Sequence, residues 1–243
     1  SPIFHYIDGG ADDEVTLNRN TESFNDCHSF DDYRRLAKKK LPSPIFHYID
    51  GGSDDEVTLN RNTEAFNTCD LVPNVLSNVE NIDLSTTVFG KKIDFPLFLA
   101  PTAMHRLYHH HGEKACALAA EKFGTIFSMS TMSTTSIEEI ANVIGSPKLF
   151  QLYIHKDTGL TNNLIERCEQ AGFDVMCLTV DTVVAGNRER DRKTGFTTPP
   201  RLTLSSLISF ITHPVWGFNY LIHKKFQLAN IIHMTEKGSS IDK

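Results

Sequence analysis

The sequence predicts an α/β protein with a parallel sheet, and two observations lead to this fold class. Short apolar runs of strand length recur about every 25 residues from residue 95 onward, separated by helices with one apolar face. Each run also ends in polar residues, as expected where parallel strands present their carboxyl ends to a ligand. The spacing is typical of βα units in either a (β/α)8 barrel or a doubly wound sheet.

Four strands and three helices are predicted in residues 95–184. The strands are Phe95–Ala100, Thr125–Ser130, Leu149–Ile154 and Val175–Val180. The helices are Gly112–Phe123, a segment opened by the capping box Ser136–Glu139 with Ile137, Ile140 and Ile144 inward, and Leu160–Ala171 with Leu164, Ile165 and Cys168 inward. Because Phe95–Ala100 is apolar along its length and leads into Pro101-Thr102-Ala103, it is predicted to be a fully buried strand followed by a ligand-binding turn.

Residues 28–94 are predicted to form a helical extension with a small hairpin. The expected helices are Phe30–Leu41, Pro44–Tyr48 ended by Gly51 and Gly52, and Glu56–Phe66 capped by Ser53 or Asp54. Val72–Ser77 and Thr86–Phe89 are β-prone, and Gly90–Lys92 predicts a hairpin turn.

The chain contains an internal repeat. Ser1–Cys27 is repeated as Ser43–Cys69, with differences only at positions 11, 23 and 26 of the first copy. Two copies are too few to bury the continuous core of a solenoid. We therefore interpret residues 1–27 as a duplication that is not integrated into the fold, and Ser43–Cys69 as the integrated copy.

Residues 185–243 contain no clear further strand, and they are predicted to be a variable loop or lid. Their apolar stretch Leu202–Ile222 is interrupted by His213, Pro214 and Asn219, which argues against a membrane span. A peripheral membrane contact through residues 202–222 is the alternative that we keep.

Composition excludes several classes of function. The net charge of −6 gives no reason to expect a nucleic-acid partner, and the basic run Arg34–Lys40 is interpreted as a solvated helix face. Five cysteines without a CxxC pair predict reduced thiols in a cytoplasmic protein. His109–His111 are consecutive and no HExxH motif occurs, so no metal site is expected. No signal peptide is visible, and the first residue is Ser1, so we expect the natural start to lie upstream.

Polar side chains at the ends of the four strands form the candidate site. Thr102, Ser130, Gln151 and Thr179 offer hydroxyl and amide groups, which suit hydrogen bonding to a neutral heterocycle better than metal or acid–base chemistry. Because alternate residues of a strand face the same side, Gln151 and Tyr153 are expected to project together. A solvated row of strand ends is the alternative, and the pattern alone leaves it open.

Several longer motifs carry a more specific resemblance. They are Tyr33–Asn62, Phe95–Ala103, Gly124–Glu139, Phe150–Asp157 and Leu178–Asp191. In this order and approximate spacing, the chain resembles the N-terminal half of the FMN-dependent α-hydroxy-acid dehydrogenase/oxidase family. The Gly195-Phe196 and His213–Trp216 segments are most similar to its L-lactate dehydrogenase branch.

That resemblance implies a (β/α)8 barrel, FMN as cofactor and a set of site residues. Cofactor contacts are implied for Pro101, Thr102, Ala103, Ser130, Gln151 and Thr179, and substrate contacts for Tyr48, Tyr153 and Arg188. Met132 lies where glycolate oxidases carry a tryptophan over the substrate. This difference bears on which hydroxy acid is used.

The resemblance also implies oxidation of a small L-2-hydroxy acid, such as lactate, to the 2-oxo acid. The family's histidine base, its carboxylate-binding arginine and its flavin lysine belong to motifs that do not occur in these 243 residues. We therefore expect the first four βα units of a longer enzyme, inactive alone and unable to hold FMN tightly. The alternative is a non-catalytic half-barrel that self-associates as a homo-oligomer or pairs with a C-terminal fragment.

Overall fold

The structure, a computed structural model, describes residues 26–76, 78, 80–181, 186–196, 203–223 and 226–231, without the side chain of Ser205. The first copy of the repeat up to residue 25 and the segment 232–243 lie outside the described residues. The strands are β1 (Thr86–Val88), β2 (Lys91–Ile93), β3 (Phe127–Ser130), β4 (Lys148–Tyr153) and β5 (Val175–Thr179). The helices are α1 (Phe30–Lys40), α2 (Ser43–Asp50), α3 (Val57–Glu64), α4 (Glu113–Lys122), α5 (Ile137–Ala141), α6 (Thr158–Gln170), α7 (Glu189–Thr194), α8 (Leu204–Ile211) and α9 (Pro214–Ile222).

The central feature is a parallel sheet in which β3, β4 and β5 lie side by side in sequence order. Ser130 of β3 is the register partner of Gln151 in β4, and Tyr153 is the partner of Thr179 in β5. Helices α5 and α6 connect these strands, so all three strands present their carboxyl ends at one edge. The alternating βα prediction is confirmed for this region.

The main core lies between this sheet and helices α4, α5 and α6. Side chains from all of these elements are fully buried, among them Ala117, Phe127, Ile140, Phe150 and Leu164. The predicted capping box fixes the start of α5. Ser136 accepts a hydrogen bond from the Glu139 amide, and the Glu139 carboxylate accepts one from the Ser136 amide.

Strands β1 and β2 form the predicted hairpin ahead of the sheet. They pair antiparallel, and Phe89 and Gly90 connect them with φ angles of 53° and 73°. Two positive φ angles in a two-residue loop are typical of the type I′ turn, whose twist matches that of the strands. The other β-prone segment, Val72–Ser77, is described for Val72–Leu76, and these residues do not form a strand.

The predicted strand Phe95–Ala100 departs most from expectation. Its backbone runs beside β3, with the Leu99 amide donating to the Ile126 carbonyl at 3.2 Å and an isolated parallel bridge between Thr102 and Met129. The segment is nevertheless irregular, and Leu97 and Phe98 are 56% and 38% exposed. The prediction of full burial was wrong, because the segment lies at the edge of the sheet, beside β3 alone among the described strands.

Two other local predictions were also wrong. Helix α3 begins after Glu56 in a left-handed conformation without a side-chain cap, so neither Ser53 nor Asp54 caps it. Ile165 on α6 is 39% exposed, whereas Leu164 and Cys168 are buried as predicted. Gly51 ends α2 as predicted, and its amide donates to the His47 carbonyl.

The region that was predicted to be a loop contains three helices, α7, α8 and α9. Helices α8 and α9 pack against α1 and α2 in a second cluster around Leu41, Phe46 and Leu107. The Trp216 indole donates to the Leu107 carbonyl at 2.7 Å, which connects α9 to the 3₁₀ turn His105–Leu107 that precedes α4. Among the described residues, no helix has the length and apolarity needed to cross a membrane.

Candidate functional site

Three of the predicted cofactor residues form one hydrogen-bonded row across the carboxyl edge of the sheet. The Ser130 hydroxyl donates to Gln151 Oε1 at 3.2 Å, and Gln151 Nε2 donates to Thr179 Oγ1 at 2.6 Å. Ser130 and Gln151 are almost completely buried, with exposed fractions of 4% and 6%. The row is therefore an ordered polar structure, which argues against the alternative of solvated strand ends.

The predicted turn Pro101-Thr102-Ala103 lies at the same edge. Thr102 forms an isolated parallel bridge with Met129, the residue before Ser130. The amide of Met104, the residue after the turn, donates to the Met132 carbonyl at 3.2 Å. Met104 has φ 58° and ψ 40°, a left-handed conformation that is uncommon for a non-glycine residue. Pro101 and Thr102 are exposed and Ala103 is half-buried, so this turn is open to a ligand.

Tyr48 and Arg188, two of the predicted substrate residues, are in direct contact. The Arg188 guanidinium carbon lies 5.0 Å from the centroid of the Tyr48 ring, and Nη2 donates to the Tyr48 carbonyl. Arg188 Nε donates to the Asp191 carboxylate at 2.6 Å. Asp191 is buried, so it balances the arginine charge and fixes the direction of the guanidinium group.

An ion-pair network holds α7, which follows Arg188, against α2. Arg190 forms ion pairs with Asp50 and Glu56, and Arg34 binds the same Asp50 carboxylate. Burial by itself would raise the pKa of Asp50, but the hydrogen bonds from Arg34 and Arg190 outweigh it and lower the pKa. Asp50 therefore stays ionised, and the backbone at Arg188 is anchored to the end of α2.

The Tyr48 phenol, which is part of this contact, remains protonated at neutral pH. Burial, partly offset by the nearby Arg188 charge, raises the pKa of Tyr48, and Tyr153 contributes to the same rise. Tyr153 stands opposite Thr179 in the sheet, on the side of the site where Tyr48 is influenced by its charge. A protonated phenol can donate a hydrogen bond to the carboxylate or hydroxyl of a substrate.

Tyr108 is a residue of this region that the sequence interpretation missed. Burial raises its pKa, and the charges of Tyr48, Arg188 and Asp191 act on the same phenol. Tyr108 follows the short 3₁₀ turn His105–Leu107, and it packs against the cluster around Phe46 and Leu107. The only available signal was an aromatic residue inside an otherwise polar histidine-rich segment, and that pattern does not indicate a site.

The described residues hold no group of three or more His, Cys, Asp or Glu side chains arranged to bind a metal ion. Met132, the predicted substrate-facing position, is half-buried, and its amide donates to the Ser130 hydroxyl at 3.2 Å. The site thus combines neutral hydrogen-bonding groups along the sheet edge with one arginine and protonated phenols beside it.

Comparison with known proteins places these residues in a family context. The family model for FMN-dependent dehydrogenase matches residues 37–241. An L-lactate oxidase from Nostoc sp. is 50% identical over 141 residues, covering 56% of this chain and 39% of the relative. An L-lactate dehydrogenase from Vibrio parahaemolyticus is 42% identical over 230 residues, covering 94% of this chain and 49% of the relative.

A solved structure of a hydroxy-acid dehydrogenase is also similar to this chain. The crystal structure of the monotopic membrane protein (S)-mandelate dehydrogenase superimposes with a TM-score of 0.81 at 31% identity, covering 89% of this chain and 57% of that one. The chain therefore spans half or less of the length of these two curated relatives.

Proposed function

The chain belongs to the FMN-dependent dehydrogenase family, and from this membership we propose that it contributes to the oxidation of a small L-2-hydroxy acid, lactate-like, to the 2-oxo acid. Members of this family are FMN-dependent hydroxy-acid oxidoreductases with a TIM-barrel fold. The described residues form a partial α/β arrangement without a closed barrel. We propose that they correspond to the first four βα units and their N-terminal extension.

The hydrogen-bonded row Ser130–Gln151–Thr179 is the observation that carries this proposal. An isoalloxazine ring is a neutral, planar heterocycle with alternating donors and acceptors along its edge. The row offers hydroxyl and amide groups of both kinds without a formal charge, so the residues present fit this group. Bound FMN accepts the two electrons that leave the substrate.

The residues beside the row have separate roles in the proposal. The turn Pro101-Thr102-Ala103 borders the flavin, because it is open and hydrogen-bonded to the neighbouring strand end. Tyr48 and Tyr153 donate phenolic hydrogen bonds to the substrate, and the raised pKa of Tyr48 keeps its phenol protonated. Arg188 contributes positive charge near the substrate carboxylate, and Asp191 keeps its guanidinium group oriented.

We propose that this chain alone does not turn over and does not hold FMN tightly. Within the part of the chain that the structure describes, no strand pairs with the outer edge of β5, where Leu178 is 48% exposed, so one side of the candidate site is solvated. The test is gel filtration of the flavin-loaded chain, followed by an L-lactate assay with an artificial electron acceptor. We expect colourless protein and no turnover. Co-elution of a yellow flavin with the protein would contradict the proposal.

A second candidate function, a non-catalytic half-barrel that self-associates, is supported by the same exposed surface. Met176 and Leu178 of β5 present apolar side chains to solvent, and contiguous apolar surface on a sheet favours association. Sedimentation over a range of protein concentrations distinguishes the candidates. A stable dimer that is lost on Leu178→Lys supports the half-barrel, and a monomer at all concentrations refutes it.

We further propose a peripheral membrane contact through α8 and α9. Their outer side chains are strongly exposed, with Ile211 at 70% and Leu221 at 81%. The related (S)-mandelate dehydrogenase is described as a monotopic membrane protein. We expect liposome flotation to be lost on Leu221→Glu and kept on Leu71→Glu, which changes a leucine elsewhere that is even more exposed, at 97%. Equal flotation of both variants would end the proposal.

A further inference from the structure

Glu113, the first residue of α4, is a buried acidic side chain that takes no part in the flavin and substrate contacts proposed above. It is fully shielded from solvent, with an exposed fraction of 0%. Burial of a carboxylate is costly unless hydrogen bonds satisfy its oxygens. The groups that donate to Glu113 therefore indicate what this side chain does in the fold.

Four hydrogen bonds converge on the Glu113 carboxylate. Oε1 accepts from the His105 amide at 3.2 Å and from the Thr134 amide at 2.8 Å. Oε2 accepts from the hydroxyl groups of Thr134 and Thr135, both at 2.7 Å. Burial by itself would raise the pKa of Glu113, but the nearby His105 and the hydrogen bonds from Thr134 and Thr135 outweigh it and lower the pKa. The side chain is therefore an ionised acceptor at neutral pH.

The four donors come from two chain segments, which the carboxylate joins. His105 follows the open turn that ends at Ala103, whereas Thr134 and Thr135 belong to the turn between β3 and α5. Arg106 strengthens the same junction, because its amide donates to Thr134 Oγ1 at 3.3 Å and its Nη1 donates to the Thr134 carbonyl at 2.6 Å. Both segments lead directly away from the candidate flavin site.

The turn between β3 and α5 begins at Ser130 and carries Met132. The Met132 amide donates to Ser130 Oγ at 3.2 Å, and the Ser133 amide donates to the Ser130 carbonyl at 3.1 Å. The Met132 carbonyl accepts from the Met104 amide at 3.2 Å. Because Glu113 holds the residues that follow Met104 and those that follow Ser133, it fixes the backbone of Met132 between them.

We propose that Glu113 is a positioning residue for the flavin site. Its carboxylate sets the distance between the segment 101–106 and the turn 131–135, and thereby holds Met132 and the Ser130 hydroxyl in place beside bound FMN. This role rests on the proposed function, since that function makes the two segments a border of the flavin. Glu113 acts through the two segments and touches no ligand itself, because its side chain is fully shielded.

Methyl NMR of the methionines in the whole 243-residue chain tests the proposal, because Met104 and Met132 lie at this junction. The chain has five methionines, whose signals are assigned by single Met→Leu variants. Glu113→Leu has a similar size but removes all four acceptor contacts. We expect it to shift the Met104 and Met132 signals and to weaken FMN binding, followed by flavin fluorescence, by roughly tenfold. Glu121→Leu, at an exposed position on the same helix, is the matched control and should do neither.

Glu113→Gln is the conservative variant. Its amide oxygen can accept from the two backbone amides, and its NH₂ group can donate to the threonine hydroxyls, which rotate to accept. We therefore expect glutamine to restore the two methionine signals and most of the flavin affinity. If Glu113→Leu does not fold, the same contrast comes from Thr135→Val, which removes one of the four bonds, and Thr135→Ser, which keeps it.

Leu164→Ala controls for a general loss of stability, since it opens a cavity in the main core on α6. It should leave the Met104 and Met132 signals and the flavin affinity unchanged. Unshifted signals in both Glu113→Leu and Thr135→Val, or an equal loss of flavin affinity in Leu164→Ala, would overturn the role of Glu113 while the unchanged chain still binds FMN. An unchanged chain that shows no response to FMN contradicts the proposed function itself and, with it, this role.

Discussion

Gln151 has the most connected side chain at the candidate site. Its amide oxygen accepts from the Ser130 hydroxyl and from the Thr131 amide at 3.3 Å, while its nitrogen donates to Thr179. One side chain therefore links all three parallel strands at the edge where a ligand is expected. Because Gln151 is almost fully buried, loss of these bonds affects both the ligand site and the sheet.

Gln151→Leu is the residue-scale prediction. Leucine has a similar size but leaves the Ser130 and Thr179 hydroxyl groups without their partner, so the free energy of unfolding should fall by about 1–3 kcal/mol. Weak FMN binding, followed by flavin fluorescence in excess protein, should fall roughly tenfold with the lost hydrogen bonds. Gln170→Leu, at an exposed position on α6, is the control for both measurements. Equal flavin affinity in the two variants would refute the cofactor role of Gln151.

At the scale of elements, the end of α9 is held by a cluster of histidine rings. His110 stacks on His223, the residue after α9, with ring centroids 4.0 Å apart, and its centroid lies 4.2 Å from those of His109 and His111. Burial, followed by repulsion among the neighbouring histidines, lowers the pKa of His109 to about 3 and that of His110 to about 4. The packed cluster therefore requires neutral rings.

This requirement predicts a loss of stability in mild acid. A histidine whose folded pKa lies below 6.5 takes up a proton more readily in the unfolded chain, so stability is complete above pH 6.5 and falls as the pH decreases toward 4. Thermal unfolding between pH 7.5 and 5 measures the slope. His110→Phe keeps an aromatic ring without the charge and should reduce the slope, while exposed His28→Phe should not. An equal slope in both variants would contradict the prediction.

The segment after α9 is attached to the turn between β3 and α5 by the Asn230 side chain and by a backbone hydrogen bond from the Ala229 amide to the Ser133 carbonyl. Asn230 Oδ1 accepts from the Ile137 amide at 3.1 Å, and Nδ2 donates to the Ser133 hydroxyl at 2.9 Å. The Arg167 guanidinium group donates to Asn230 Oδ1 and to the backbone carbonyl of Asn230. The turn between β3 and α5 thereby holds the segment that follows the α8–α9 pair.

Asn230→Leu should release this attachment. Several buried donors and acceptors lose their partner, so the free energy of unfolding should fall by about 1–3 kcal/mol. Limited proteolysis should then cut near residue 230 faster than in the unchanged chain. Asn163→Leu on the exposed face of α6 is the matched control. Identical proteolysis of the two variants would show that Asn230 does not anchor the segment.

At the scale of the whole molecule, structure that depends on neighbouring residues was predictable from the sequence. The burial of side chains by distant elements was not. The capping box at Ser136, the hairpin and the βα alternation follow from neighbouring residues, and all three were predicted correctly. The burial of Leu97 and Ile165 depends on which elements lie opposite them, and the apolar pattern does not contain this information. Tyr108 was not predicted as a site residue for the same reason. Only the folded chain brings it near Tyr48 and Arg188.

Because the candidate site is solvated beside β5, we expect a second chain that covers this side to complete it. Supplying the unmatched remainder of the Nostoc L-lactate oxidase as a separate chain should cover the open sheet edge. We expect the mixture to retain flavin through gel filtration and to oxidise L-lactate, whereas each chain alone does neither. With Gln151→Leu, flavin retention by the mixture should decrease. A mixture that elutes as two separate colourless chains would contradict this prediction.

The bond between Trp216 and Leu107 gives the molecule an internal optical reporter. Trp216 is the single tryptophan of the sequence, and its indole sits between Phe210 and Tyr220 while donating to the Leu107 carbonyl. Its fluorescence therefore comes from one known place, the junction of α9 with the turn that leads from Pro101-Thr102-Ala103. Detachment of α9 should shift this emission to the red while the far-ultraviolet signal of the sheet and helices stays unchanged.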